Sequence, residues 1–243
     1  MSAAANGGEA EERERFFEQW AIYRKVIESD FMVHRDVIGA FGAWLDEAGA
    51  ASDGNGAWLD LGCGDAHVAA ALLGAGRRVG RYVGVDSSEM ALREARDSLP
   101  GTVPEIEWVR RDILEYLREC REPFDIVIAG YSLHHFQPRE KRGIFREIRA
   151  RLRSGGALLL YDIFCHPGRD RAHFVKAYLE WMRRDWSGIT EREHGLIDRH
   201  ISARDFPETP ENLVSMAAEA GFSGTELYGD PPAFHRAMVF RPT

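Results

Sequence analysis

The run Trp58-Leu59-Asp60-Leu61-Gly62-Cys63-Gly64-Asp65 closes an apolar stretch with two glycines, and Val83-Gly84-Val85-Asp86 closes a second with an acid. Glycines let a backbone approach a ligand closely. A carboxylate roughly 20 residues further on accepts hydrogen bonds from both hydroxyls of a ribose. Together they point to a nucleoside cofactor. A dinucleotide fingerprint needs a third glycine, where this chain has His67, and it faces a pyrophosphate that Asp65 would repel. A cofactor without phosphate tolerates that acid.

S-adenosylmethionine (SAM) is such a cofactor, and the acidic-x-Gly-x-Gly-x pattern from Asp60 to Asp65 resembles the first motif of the class I SAM-dependent methyltransferases. Arg111-Asp112-Ile113 resembles that family's third-strand acid with its apolar neighbour. Phe124-Asp125-Ile126-Val127-Ile128-Ala129-Gly130 with Tyr131-Ser132-Leu133-His134-His135-Phe136 resembles its fourth strand and following loop. Leu152 to Leu160 resembles its L-x-P-G-G-x-L turn and strand, with Ser154 in place of the proline. The likeness spans residues 56–163 and rests on the order and spacing of four motifs. It implies SAM as cofactor, S-adenosylhomocysteine as product, and in-line methyl transfer to an O, N or S nucleophile of a small molecule. The cofactor-binding residues it implies are Asp60, Gly62, Cys63, Gly64, Asp86, Ser87, Asp112, Ile113 and Tyr131. Three alternatives remain. They are a non-catalytic SAM-binding or regulatory protein, a transferase using another SAM derivative, and a nicotinamide-dependent reductase, which His67 and Asp65 disfavour.

Each residue also has a plainer reading. Asp86 either grips the ribose or caps a helix, with Ser87 and Ser88 as rivals for the cap. Asp60 either meets the cofactor's ammonium, directly or through water, or fixes the glycine turn from behind. Asp112 either accepts from the adenine amino group, as the resemblance implies, or caps the helix starting at Ile113. Tyr131 faces the methionine moiety or the substrate, or else packs in the core. An acceptor that is a hydroxyl or ammonium needs a base; the candidates, in order, are His135, His134, His200 and Asp162, histidine titrating near neutrality. No metal site is expected, because His134, His135, Cys165 and His166 lack ligand spacing. Aromatic rows supply Trp20, Tyr23, Tyr178 and Trp181 as rings that either fill the core or line a substrate pocket, where a ring face attracts a cation. Asp230-Pro231-Pro232 reads as a rigid turn. His200 to Glu208 either closes over the site or only joins two elements.

Hydrophobic spacing places the elements that carry these residues. Phe16, Trp20, Tyr23 and Ile27 recur at helical steps, as do Val33, Val37, Phe41 and Leu45, giving two helices broken near Ser29-Asp30. Strands are expected near 57–61, 81–85, 106–110, 124–129 and 156–162, with helices near 66–75, 88–98, 113–119 and 138–152. Such alternation implies a parallel sheet with the ligand beyond the carboxyl ends of its strands. A helix over 210–220 and strands near 223–228 and 234–240 follow. The fold class is α/β: a seven-stranded, mostly parallel, doubly wound Rossmann-like sheet with N-terminal helices and an inserted helical lid. The division expected is a disordered tail at 1–10, a helical cap at 11–49, a SAM-binding core at 50–165, a lid at 166–208 and a closing helix and hairpin at 209–243.

Composition narrows the partners. The net charge of −8 argues against a nucleic acid, whose binding draws on a basic face, and favours a small-molecule substrate. No apolar run approaches the ~18 residues that cross a bilayer. Three cysteines at irregular spacing make no disulfide framework and fit a reducing cytoplasm. A monomer or homodimer without a membrane partner is expected.

Overall fold

Among the described residues of the computed structural model (20–49, 54–99, 101, 103–230 and 234–243), seven strands form one sheet. They are β1 (Ala57–Leu61), β2 (Arg81–Asp86), β3 (Glu105–Arg110), β4 (Phe124–Gly130), β5 (Leu152–Ile163), β6 (Phe222–Gly229) and β7 (His235–Pro242). Their order is β3-β2-β1-β4-β5-β7-β6; β1 to β5 pair in parallel, and β7 pairs antiparallel with β5 and β6. The expected tail at 1–10, Phe16, the linker residues 50–53 and the Pro231-Pro232 turn lie outside the described residues.

Helices cover both faces, which is why the central strands read as unbroken apolar runs. The helices are α1 (described over residues 20–28), α2 (His34–Glu47), α3 (His67–Gly74), α4 (Glu89–Ser98), α5 (Ile113–Glu119), α6 (Pro138–Arg151), α7 (Arg171–Asp185), α8 (Glu191–Arg204) and α9 (Pro210–Glu219). Leu59, Leu61 and Val127 pack with Phe145 and Ile148 of α6 and Met216 of α9 on one face. Trp58, Tyr82 and Ile128 pack with Phe41 of α2 and Leu72 of α3 on the other. A third apolar cluster lies apart from the sheet layers: Ile22 and Val26 of α1 meet Phe174, Tyr178 and Met182 of α7 and Ile201 of α8. It roofs the carboxyl ends of the strands. No helix among the described residues is long and apolar enough to cross a membrane.

One strand runs longer than its sequence suggests. β5 starts at Leu152 because Gly155, at φ +81°, lets the chain bulge within the strand. Leu152 pairs with Phe124 and Ala157 with Ile126, so the glycine turn is absorbed into the strand.

Strand order reverses between β1 and β4, which opens a crevice above their carboxyl ends. Two details shape it. Tyr131, directly after β4, holds φ +42°, a conformation that costs roughly 1–3 kcal/mol in a non-glycine residue. Gly130 accepts the buried Tyr161 ring against its backbone, and a Cβ there would stand 2.0 Å from a ring carbon. Gly130→Ala therefore overpacks the crevice floor and should cost about 1–3 kcal/mol, read as a lower urea midpoint with an unchanged slope.

Candidate active site

The turn after β1 brings backbone close to the loop after β4. Gly62 and Gly64 hold φ +70° and +55°, and a Cβ on Gly62 would stand 2.8 Å from the Ser132 Cβ. The Gly62 and Cys63 amides donate to the Val85 carbonyl at 2.8 and 3.0 Å, fastening the turn to the end of β2. Asp86 completes the fastening by accepting from the Gly64 amide at 3.0 Å and the Ser88 amide at 2.8 Å. The cap of α4 is Ser88, whose Oγ accepts from the Ala91 amide at 3.2 Å. Asp86 is thus free of capping duty and lines the crevice.

Two clefts meet there. A cavity of about 430 Å³ under the roof is lined by Gly62, Cys63, Gly64 and Asp86 on its floor, with Tyr131 beside them. A second, of about 570 Å³, is lined by Ser87, Asp112, Ile113 and Phe136. Gly62, Asp86, Tyr131, His135 and His200 line both. Asp112 takes the capping role and also borders a cleft. It caps α5 through Oδ1, accepting from the Leu114 and Glu115 amides at 2.8 and 3.2 Å, and it borders the second cleft.

Four expected site residues stand elsewhere. Asp60 lines neither cleft: it is buried behind the glycine turn, where Tyr82 Oη donates to it at 2.9 Å. Burial pushes its pKa up to about 7, against the Tyr82 hydrogen bond and with help from Asp86 and Asp65. Trp20 stacks on Tyr23 at 4.9 Å and Trp181 on Tyr178 at 5.5 Å; in each pair the tyrosine lines the cavity and the tryptophan does not. Asp162 is no base. Buried, it accepts from the amides of His134 at 3.0 Å and Ile163 at 2.8 Å and pairs with His134 Nδ1. Burial would raise its pKa, but the neighbouring imidazole outweighs burial and lowers it. For His134, burial opposes protonation and the Asp162 charge outweighs it, so its pKa rises.

His134, His135 and His200 line the cavity side by side with Asp205, which the sequence offered only within a stretch that either closes over the site or joins two elements. Asp205 Oδ1 stands 3.3 Å from His135 Nδ1, 3.7 Å from His200 Nε2 and 3.8 Å from His134 Nε2. No spacing rule brings these residues together. The cause is tertiary: the Phe206 amide donates to the His134 carbonyl at 2.6 Å and Arg171 Nε to the Asp205 carbonyl at 2.6 Å. The sequence also passed over His235. Its Nδ1 faces Asp230 at 3.1 Å and its Nε2 meets Tyr178 Oη at 2.9 Å, a buried chain ending at the cavity wall. Strand alternation in β7 was its only signal. Tyr23 Oη donates to Asp65 at 3.1 Å, bringing α1 down onto the glycine turn.

Comparison with known proteins decides the family. A model of the methyltransferase domain matches residues 59–156. The 2-phytyl-1,4-naphtoquinone methyltransferase of Thermosynechococcus vestitus is 30% identical over 176 residues, 70% of this chain and 73% of that protein. The chain belongs to the class I SAM-dependent methyltransferases. A carboxy-S-adenosyl-L-methionine synthase from Helicobacter hepaticus is 28% identical over 151 residues, 60% of each protein. The magnesium protoporphyrin IX methyltransferase of Synechocystis PCC 6803 with bound SAH shares the fold, with TM-score 0.63 at 16% identity over 93% of this chain and 94% of that one.

The site of this methyltransferase suits its cofactor. The main cavity carries Asp65, Asp86 and Asp205 and, among the described residues, neither lysine nor arginine. That charge favours a cation such as SAM. Asp86→Ala removes an acceptor whose hydrogen bonds are worth roughly 1.5–3 kcal/mol each. Calorimetric affinity for S-adenosylhomocysteine should fall by roughly two orders of magnitude or more. Near-wild-type affinity would sink the ribose assignment. Asp60 yields a second expectation. The unfolded chain releases this proton near pH 4 and the folded chain near pH 7, so the stability carried by the protonated form is lost as pH rises between them. Asp60→Asn keeps an acceptor for Tyr82 and cannot ionise. Its melting temperature relative to wild type should therefore climb from pH 5 to pH 8, with a difference of up to about 1.4 kcal/mol per pH unit.

Proposed function

We propose that this methyltransferase acts on a small, largely apolar molecule through a hydroxyl-bearing group, and that His200 receives the proton released. The observation that carries this reading is the division of the main cavity. Its floor is the glycine turn with Asp86, its roof is apolar, and its far wall is imidazole. Ile22, Val26, Met182, Trp186, Leu196 and Ile197 supply the apolar side. When bound, SAM supplies a methyl group already activated by the sulfonium. The chain's own work is then to orient the acceptor, exclude water and take up a proton; orientation alone is worth roughly 7–11 kcal/mol of barrier in favourable cases.

The cofactor contacts assigned to Gly62, Gly64, Asp86 and Asp112, and the pocket roles of Tyr23 and Tyr178, are part of the proposal. His200 stands on α8 where the two clefts meet, with its side chain 47% exposed, so a proton passed to it can leave for solvent. The naphthoquinone acceptor named for the Thermosynechococcus relative supports an apolar, ring-sized acceptor here. Likeness to carboxy-S-adenosyl-L-methionine synthases brings a second reading, transfer of a carboxylated group. The main cavity holds three acids and, among its described lining residues, no lysine or arginine to pair with an added carboxylate. The net charge of −8 favours a small molecule over nucleic acid.

Incubating the protein with methyl-deuterated SAM and a metabolite extract, followed by mass spectrometry, tests the reading. A labelled apolar product supports it. A carboxylated sulfonium, or no label while S-adenosylhomocysteine still binds, would replace it. With the acceptor in hand, His200→Ala should lower kcat by roughly 10²–10⁴-fold and leave S-adenosylhomocysteine affinity within a few-fold.

A further inference from the structure

A buried carboxylate oxygen without a partner is costly, because it has lost its water and gained nothing. Asp205 Oδ1 is in that position: its side chain is 4% exposed and no hydrogen bond reaches the oxygen. Imidazole nitrogens stand around it at 3.3 to 3.8 Å, too far or too poorly aimed to donate.

We propose that His134 Nε2, His135 Nδ1 and Asp205 Oδ1 form a binding site for a divalent transition-metal cation, of the kind taken by Zn²⁺ or Co²⁺, on the wall of the active-site cavity. Ligand atoms from these three residues lie within 4.8 Å of one another. Around a tetrahedral ion with bonds of 2.0–2.1 Å, ligand atoms stand roughly 3.3 Å apart, so the observed spacing needs only a small inward movement. His134 is already prepared. Its Nδ1 is engaged by Asp162, which leaves Nε2 to face Asp205. Ligating histidines are held in this manner, with the far ring nitrogen on a carboxylate. Asp205 is held by the Arg171 side chain, which donates to its carbonyl, and by the next residue's amide, Phe206, which donates to the His134 carbonyl.

Two imidazoles and one carboxylate suit zinc-like ions better than magnesium or calcium, which prefer oxygen alone. The set differs from the one weighed on sequence. Cys165 Sγ instead faces the Pro207 carbonyl at 3.3 Å, and His166 packs on Phe234 at 4.8 Å. Three protein ligands leave a position open, as catalytic sites do, and these three line the cavity. What fills that position rests on the proposed methyl transfer: an acceptor hydroxyl there would become more acidic, its proton passing to His200 and on to solvent. Binding of the ion does not depend on that reading.

The test uses untagged, chelator-stripped protein titrated with Co²⁺ and, by competition against a chromophoric chelator, with Zn²⁺. S-adenosylhomocysteine binding is measured on the same samples. One ion per chain is expected, with the visible absorption of a four-coordinate Co²⁺ site. His135→Ala, at a half-exposed ring, should weaken binding roughly 100-fold or more; Asp205→Asn should do the same. His173→Ala, on the exposed side of α7, should change nothing. Absence of Co²⁺ and Zn²⁺ binding while S-adenosylhomocysteine binds normally would overturn the site. So would binding that survives both substitutions. An ion bound as expected in protein that methylates nothing would instead count against the proposed reaction and leave the site standing.

Discussion

There is no room for a side chain at Gly62, and much of the site follows from that. The turn after β1 passes so close to the loop after β4 that a Cβ would meet Ser132, and the backbone conformation there favours glycine. That closeness exists because β1 and β4 are neighbours at the reversal of strand order. Ser132 Oγ donates to the Leu61 carbonyl at 3.2 Å, tying the two loops from the other side. With the turn held down, the Gly64 amide reaches Asp86, and the acid is set at the floor of the crevice. The strained backbone of Tyr131 belongs to the same constraint. It turns the chain sharply at the end of β4, so that the ring enters the roof and its hydroxyl donates to the Met32 carbonyl.

Charge is the second organising term. Asp60, Asp65 and Asp86 lie around one turn, where burial first, and then the charges of Asp86 and Asp65, raise the cost of ionising Asp60. The deepest of them, Asp60, meets this by holding its proton towards neutrality; Asp65 and Asp86, nearer the cavity, receive backbone amides. The outcome is an acidic floor able to attract a cation without burying three bare charges. A sulfonium that has lost its methyl group is a neutral thioether, so the same carboxylates favour entry of cofactor more than retention of product.

The strands and the glycine turn were legible in the sequence because their causes are local. A buried parallel strand must be apolar throughout, and a backbone at positive φ that also lacks space must be glycine. Asp86 was legible as an acid at the right distance; only the structure could show that Ser88 takes the cap. The rest of the site depends on chain segments far apart. Tyr178 and His235 meet across 57 positions, and nothing in either neighbourhood announces the other. Trp20 and Trp181 carried the same helical spacing as the tyrosines they stack on. Spacing fixes which face of a helix a ring occupies, and the neighbours decide whether that ring reaches a cavity or backs one that does. Asp205 was hidden for another reason: a lone acid at the end of a helix is common, and its meaning lies in the unpartnered oxygen.

The roof is joined to the sheet by few polar contacts among the described residues. Tyr23 to Asp65 and Tyr131 to the Met32 carbonyl tie α1 and the following turn to the crevice. Lys25 to Glu193 ties α1 to α8, and Tyr178 to His235 ties α7 to β7. Otherwise α7 and α8 pack chiefly within their own apolar cluster. Asp205 lies just beyond α8, in a segment fixed from below by the Phe206 amide and by Lys141, which is buried and bonds the Phe206 carbonyl and Glu208. The apolar roof is thus anchored at the end of α8. Arg171, at the start of α7, bonds the Asp205 carbonyl as well, so the roof and the wall that carries His134, His135 and Asp205 are fastened to each other at this end.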